Sequence, residues 1–195
     1  MSDGQDELEG RIQNLVDRDN RTRFARAQRS LDVEDLMAEF PALTAALVGG
    51  GYESAWLFTD AIGCYIAGHF VAALVCAHGT CERELAGRVN ALGSRAPERW
   101  EHWGLGALIK FASDQDWLTT QSQQLLNDVN RKRRDFYHFR DEDTSDSILT
   151  RTYAQVPWRG KEWTDENVEH VLRVDALQAI RAAFAIRVEV AESGP

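Results

Sequence analysis

Hydrophobic residues recur at helical spacing through most of the middle of the chain. Apolar residues occupy every third or fourth position in four stretches, and this spacing predicts an amphipathic helix for each. The alternating runs and turn dipeptides that are typical of β-strands do not occur. The pattern therefore predicts an all-α protein, a compact helical bundle. The four predicted helices are Tyr52–Ala67, Phe70–Leu92, Leu105–Ala112, and a last one from Thr119 or Thr120 to Phe139.

The first fifty residues follow a weaker pattern. Residues 1–30 are polar and highly charged, and they predict a partly ordered arm. A helix is then predicted from about Val33 to Val48, with Ser30 or Asp32 as its N-cap and the glycines at 49–51 at its end.

The last third of the chain also gives weak signals. Residues 147–163 predict no regular element. Thr164 is the predicted cap of a short helix, and Asp175 is the predicted cap of a last helix. We therefore divide the chain into an N-terminal helical arm at residues 1–50 and a helical domain at residues 51–195.

The composition is ordinary for a globular protein. The chain has 195 residues, of which 44% are hydrophobic and 27% charged, which suits one domain with a substantial core. Its longest apolar run, from Tyr65 to Ala77, is interrupted by Gly68 and His69 and is too short to cross a bilayer. The N-terminus is acidic and lacks the features of a signal peptide. These observations predict a cytoplasmic protein that does not associate with membranes.

The charge distribution limits where nucleic acid can bind. A net charge of −9 argues against a broad basic surface of the kind that nucleic acid requires. Residues 127–140 are a local exception with a charge of +3, because five basic residues outnumber two acidic ones. Neither the three cysteines nor the four histidines outside this stretch have metal-ligand spacing. We therefore predict no metal or cofactor and assign these residues structural roles. These residues are Cys64, Cys76, Cys81, His69, His78, His102 and His170.

The predicted helix that contains most of this basic stretch has an apolar stripe and a polar stripe along its surface. Its apolar stripe, an arc of about 120°, includes Arg133 as well as Leu125, Leu126, Val129, Phe136 and Tyr137. A guanidinium in a core needs a carboxylate or carbonyl partner, and Glu82 and Glu84 are candidates. A second stripe, about 60° wide, aligns Asn127, Arg131, Arg134 and His138. A surface helix rarely needs both features.

Two segments resemble the HEPN (higher eukaryotes and prokaryotes nucleotide-binding) superfamily. The segment Gly68-His-Phe followed by an Ala-rich helix with Glu82-x-x-Leu85 resembles the second helix of that family. The segment Gly104-Leu-Gly-Ala-Leu-Ile109, followed by a helix ending Arg131-Lys-Arg-Arg-Asp-Phe-Tyr-His138, is similar to its closing part. The family signature is an arginine followed, after four to six residues, by histidine. The resemblance covers roughly residues 52–190, so the domain at 51–195 is predicted to be HEPN-like.

The resemblance implies a homodimer that forms through the motif helix and brings two Arg/His pairs together in a cleft. Many such proteins are metal-independent ribonucleases in toxin-antitoxin or phage-defence systems, which implies an RNA substrate and an antitoxin or defence partner. His138 is the implied catalytic histidine. Arg133, with four intervening residues, is favoured over Arg131, with six, although Arg131 shares a helix face with His138.

The chemistry of RNA cleavage suits these residue types. Histidine can take the proton of a ribose 2′-OH or protonate the leaving oxygen, and arginine can hold the charged phosphorane. The further candidates are Glu82 as a supporting residue and, for RNA binding, Asn127, Asn130, Lys132 and Arg134. Two alternatives stay open. One is a catalytically silent dimerisation or nucleotide-binding module for a partner, and the other is an unrelated helical protein in which Arg133 forms a structural ion pair.

Overall fold

Every regular element that the structure describes is helical. The structure is a computed structural model, and it describes residues 3–41, 49–137, 147–155 and 165–192. Two short 3₁₀ turns, Gly93–Arg95 and Trp100–His102, precede the fourth helix. The predicted all-α class is therefore confirmed. The α-helices within these ranges are α1 (Asp3–Ala38), α2 (Gly51–Ala67), α3 (Phe70–Asn90), α4 (Leu105–Asp114), α5 (Thr120–Tyr137), α6 (Ile148–Gln155) and α7 (Asp165–Glu192).

Helix α3 is the centre of the bundle. Its early half is apolar on several sides, so it packs against α2 on one side and α7 on the other. Phe184 of α7 also contacts α2, because its ring meets that of Phe58 edge-on at 4.8 Å between ring centroids. The predicted helices at 52–67 and 70–92 are confirmed, and Gly68 makes the turn between them with a φ of 89°.

The start of α2 lies unusually close to α3. A Cβ atom built on Gly87 would lie 2.0 Å from the carbonyl oxygen of Gly49, a distance that no real contact tolerates. Glycine at position 87 therefore allows the two backbones to touch.

We expect Gly87→Ala to lower the free energy of unfolding by about 1–3 kcal/mol, the range for overpacking a well-packed site. Urea unfolding of the purified protein measures this. Gly63→Ala is the matched control, because a Cβ there meets nothing within 4 Å in the exposed middle of α2. It should leave stability unchanged or raise it by about 0.5–1 kcal/mol. Equal behaviour of the two variants would contradict the close crossing.

The N-terminal prediction was wrong in its boundaries. Helix α1 runs without a break through Ser30 and Asp32, which therefore cap nothing. It begins at Asp3 instead of Val33, and it ends at Ala38. The part of that predicted helix at 42–48 lies outside the described residues. Val33 and Leu36 are buried because the last third of α1 packs on the bundle.

Asp32 looks like a helix cap in the sequence, but in the structure it binds residues of other helices. Its carboxylate accepts hydrogen bonds from the Tyr65 hydroxyl at 2.7 Å and from the Arg173 guanidinium at 2.6 Å. Burial alone would raise the pKa of Asp32, but these two hydrogen bonds, the charge of Arg173 and a hydrogen bond from Gln28 together lower it. Burial, and after it the Asp32 carboxylate, raises the pKa of Tyr65 to about 12, although Arg173 acts in the opposite direction.

The C-terminal prediction was also wrong in two places. Residues 148–155 form α6, where no element was predicted, and a single helix, α7, covers the two helices expected after Thr164 and Asp175. Thr164 lies outside the described residues, so its role as a cap stays a prediction. Asp175 lies inside α7 and is buried, so it is not a cap. Within the described ranges, no helix has the length and apolar character needed to cross a membrane.

Candidate functional site

The helix that carries the sequence motif begins and packs as predicted. Thr119 caps α5, because its hydroxyl accepts a hydrogen bond from the backbone N–H of Ser122 at 3.2 Å. Leu126 and Val129 of the predicted apolar stripe are buried in the core. Arg133, one turn beyond Val129, is half-buried at the end of this stripe.

Arg133 lies at a cleft between α3, α4 and α5. The cleft has a volume of about 470 Å³ and gathers Glu82, Asn130 and Arg133, three of the residues that the sequence singled out. It also contains His78 and His102, which were predicted to be structural. We call it the α3–α5 cleft, and its lining residues are His78, Glu82, Glu101, His102, Trp103, Gly104, Leu105, Gly106, Ala107, Asn130 and Arg133.

Glu82 of α3 lines the α3–α5 cleft and also binds the first turn of α4, another helix that lines it. Its Oε2 accepts a hydrogen bond from the backbone N–H of Leu105 at 2.8 Å, in the first turn of α4. A carboxylate stabilises a helix at this end, where N–H groups lack partners within the helix. Glu82 therefore positions α4 and faces the cleft at the same time.

His78 lies one helical turn before Glu82 on α3. The side chain is only 7% exposed, and its Nε2 has no hydrogen-bond partner among the residues that the structure describes. Burial lowers the pKa of His78 and nearby Arg133 lowers it further, whereas Glu82 and the Asn130 side chain act in the opposite direction. The imidazole is therefore mainly neutral near pH 7, the form that can accept a proton. Sequence reasoning missed it because a lone histidine on a mostly apolar helix is usually structural.

The wall formed by α4 is close to the polar groups of α5. A Cβ atom on Gly106 would lie 3.1 Å from the Asn130 amide nitrogen, so glycine at this position leaves room for that side chain. The start of α4 thus presents its backbone to the α3–α5 cleft. The first N–H group of this helix is already bound to the Glu82 carboxylate, so the guanidinium of Arg133 is the group of the cleft that suits phosphate oxygens.

Glu84, the other candidate carboxylate for Arg133, has different partners. It is completely buried, and it accepts hydrogen bonds from the backbone N–H of Gly50 and the hydroxyl of Ser54. The buried arginine beside it is Arg187, with 3.5 Å between Arg187 Nε and Glu84 Oε1. The prediction missed Arg187, although its position in an apolar stretch of α7 gives the same signal that drew attention to Arg133.

The other basic residues of α5 are spread over different surroundings. Lys132 points towards α7, where its ammonium lies 2.8 Å from Asp175 and 2.6 Å from Gln178, and its side chain is 12% exposed. Arg131 pairs with Asp128 of its own helix at 2.9 Å. Arg134 and Asn127 are exposed. The predicted RNA-binding residues therefore do not form one continuous surface.

The predicted catalytic histidine, His138, lies outside the described residues, just after the end of α5 at Tyr137. Its role stays a prediction. Among the described residues, no group of three or more His, Cys, Asp or Glu side chains is arranged to hold a metal ion.

No family model matches this chain, and neither the curated proteins nor the solved structures contain a match to it. A functional interpretation therefore rests on the residues of the α3–α5 cleft and on the sequence resemblance. The cleft offers a guanidinium, an amide, two carboxylates and two imidazoles in one concave site. These groups are suited to binding a phosphodiester and to moving protons.

Proposed function

We propose that this chain binds RNA in the α3–α5 cleft and cleaves it without a metal ion, as a HEPN-like ribonuclease. One observation supports this above all others: Arg133 lies at a cleft that also holds Asn130 and His78. The resemblance supplied Arg133 as a candidate from spacing alone. Its position at a polar cleft adds an argument that is independent of that spacing.

In the proposed reaction, the 2′-OH of the ribose loses its proton and attacks the adjacent phosphorus. The bond from phosphorus to the 5′ oxygen breaks, and that oxygen takes up a proton. The products are a 2′,3′-cyclic phosphate and a free 5′-OH. Arg133 stabilises the extra negative charge on the phosphorane, and Asn130 donates a hydrogen bond to a phosphate oxygen.

Three histidines compete for the role of proton-transfer group. His138 is the residue that the family signature implies, and it follows Arg133 after four residues. His78 and His102 lie in the α3–α5 cleft itself. His78 has the pKa shift that suits a base, whereas the exposed position of His102 gives substrate easier access. Single alanine variants of the three distinguish these roles.

The test is incubation of the purified full chain with mixed RNA in EDTA. We expect cleavage by the parent protein and a rate about 100-fold lower for Arg133→Ala, because removing one group that stabilises the transition-state charge typically costs a factor of that order. Arg131→Ala should retain most of the activity. Arg83→Ala is the matched control, since this arginine of α3 pairs with exposed Glu53 and does not line the cleft.

Two controls make the result decisive. Each variant must keep the circular dichroism spectrum and the oligomeric state of the parent. Detection of 2′,3′-cyclic phosphate ends separates this reaction from contamination by hydrolytic nucleases. If Arg133→Ala is as active as the parent, the α3–α5 cleft is not the site of cleavage. If the parent itself does not cleave RNA, the chain is not a ribonuclease.

One observation favours a second candidate, a catalytically silent HEPN-like module that binds a nucleotide or a protein partner. Lys132 and Arg131 are paired with carboxylates of the same chain, and Glu82 and Glu101 add negative charge to the α3–α5 cleft. Both effects weaken the attraction for a long polyanion. Binding of a labelled mononucleotide that Arg133→Ala weakens, with no cleavage of RNA, would support this second function. Participation in toxin-antitoxin or defence systems is implied by the resemblance and belongs to the same proposal.

A further inference from the structure

The first part of α1 is largely exposed in the part of the chain that the structure describes. Between Glu7 and Gln28, every side chain that the structure describes is exposed except Arg26, which is half-buried. We call residues 7–28 the α1 extension. A helix of this length gains little stability from its backbone alone, since most helices in proteins depend on packing of an apolar face.

The α1 extension carries such a face. Leu8, Ile12, Leu15 and Val16 follow at helical spacing, and all four are exposed. At about 100° per residue, Leu8 and Leu15 fall within about 20° of Val33, which is buried against the bundle. The buried side of α1 therefore continues as an exposed apolar stripe past the point where the bundle ends.

An apolar groove lies beside this stripe at the end of the bundle. It has a volume of about 960 Å³, and it lies between α1, the α2–α3 turn and the start of α7. Its apolar residues come mainly from α3 and α7, and Thr22 and Ala25 close it on the α1 side. We call it the α1 groove, and its main apolar residues are Phe70, Val71, Val75, Val168 and Leu172.

The charges along α1 indicate what covers these surfaces. Residues 3–9 contain four acidic side chains and no basic one, whereas residues 21–29 contain four arginines and no acidic side chain. Arg29 is occupied within the chain, where it donates to the Ile66 carbonyl at 2.8 Å, but Arg21 and Arg23 are exposed. A helix with opposite charges at its two ends is complementary to an antiparallel copy of itself.

We propose that two copies of this chain form a homodimer by packing their α1 extensions antiparallel to each other. Residue numbers that face each other then add up to about 31, so that Leu15 of one copy lies beside Val16 of the other. Leu8 of each copy lies at the level of Thr22 and Ala25 of the other and enters its α1 groove. The interface is isologous, as a two-fold dimer requires.

Charge selects this register over the nearest alternative. If the stripe faced only itself, with Leu8 opposite Val16, Glu7 would approach Asp17 of the other copy and Asp6 would approach Arg18, so that repulsion and attraction would offset each other. In the proposed register, Glu7 and Glu9 approach Arg21 and Arg23 instead. This dimer forms through α1, whereas the family resemblance implies a dimer through α5. The test of the α1 dimer is therefore independent of the test for RNA cleavage.

The first test is sedimentation equilibrium of the full chain over a series of concentrations, beside a Leu8→Asp/Leu15→Asp variant. We expect the parent to approach twice 22.0 kDa and the variant to stay at 22.0 kDa with an unchanged circular dichroism spectrum. Phe24→Asp is the matched control, because Phe24 is 81% exposed on the opposite side of α1 and should leave the dimer intact. The proposal is overturned if the parent is monomeric or if Leu8→Asp/Leu15→Asp is still a dimer. The apolar stripe and the α1 groove would then have to bind a different protein.

Disulfide trapping tests the orientation. With Cys64 and Cys76 changed to serine, Leu15→Cys should form a covalent dimer under mild oxidation, since the two copies of residue 15 lie near the two-fold axis. Leu8→Cys should not, because its copies lie far apart in an antiparallel pair. Equal trapping at both positions would show a parallel arrangement and overturn the proposed register.

Discussion

Glu84→Ala is expected to lower the free energy of unfolding by about 3–5 kcal/mol, the range for removing one partner of a buried ion pair. The loss has two sources. The guanidinium of Arg187, itself buried, loses the carboxylate 3.5 Å from its Nε. The backbone N–H of Gly50 and the hydroxyl of Ser54, at 2.9 and 2.6 Å from the carboxylate, lose their acceptor inside the protein. Urea unfolding measures the effect.

Glu53→Ala is the matched control for this change. Glu53 pairs with Arg83 at 3.0 Å on the surface, and exposed pairs contribute only about 0–1 kcal/mol. A difference of less than about 1 kcal/mol between Glu84→Ala and Glu53→Ala would contradict the role that we assign to Glu84. Glu84→Gln should fall between them, because glutamine keeps one acceptor for Gly50 or Ser54 but lacks the charge that compensates Arg187.

Asp175→Ala should have an effect of similar size, about 3–5 kcal/mol. The buried carboxylate of Asp175 receives Lys132 of α5, at 2.8 Å, and Arg151 of α6 on its two oxygens. Without it, two cations that are only 12% and 19% exposed face each other across α7. We expect a lower midpoint in urea and earlier loss of α6, visible as faster amide hydrogen exchange of residues 148–155.

Asp128→Ala controls for the loss of an ordinary carboxylate on the neighbouring helix. Asp128 pairs with Arg131 within α5 and is half-exposed, so its removal should cost about 0.3–0.5 kcal/mol. If Asp175→Ala is no more destabilising than Asp128→Ala, the junction of α5, α6 and α7 is not held by Asp175. If amide hydrogen exchange in α6 stays slow in Asp175→Ala, Asp175 stabilises the fold through Lys132 and not through Arg151 of α6.

Local periodicity was sufficient to predict the middle of the chain. Helices α2 to α5 follow from their apolar spacing, and Gly68 and Thr119 mark a turn and a cap because their roles depend on neighbouring backbone alone. The errors at both ends have a common cause. Asp32 and Asp175 resemble N-caps in sequence, yet each is placed by distant partners, Arg173 for the first and Lys132 for the second. Short-range signals do not distinguish a cap from a carboxylate that a tertiary ion pair requires.

The candidate site shows the same division. Arg133 was found because an arginine in the apolar stripe of a helix is unusual, and this can be read from spacing, whereas Asn130 was a candidate only because its amide lies within the motif and could bind RNA. His78 was not found, because its relation to them depends on how α3 passes α5 in the bundle. Glu82 was chosen as a partner for a buried arginine, whereas the structure shows it bound to the first turn of α4. Which groups share a cleft is a property of the packing of helices, and single-helix patterns do not contain it.

The close crossing of α2 and α3 offers a way to recognise distant relatives of this chain. Because Gly87 lies against the backbone of Gly49, and Glu84 one turn earlier joins Gly50, Ser54 and Arg187, these positions depend on one another for steric and electrostatic reasons. A protein with the same crossing must keep small residues at the positions of Gly50 and Gly87, and its buried acid and arginine can change only together, whatever its cleft does. This constellation is therefore a marker of common architecture, and Arg133 and its neighbours separately mark common chemistry.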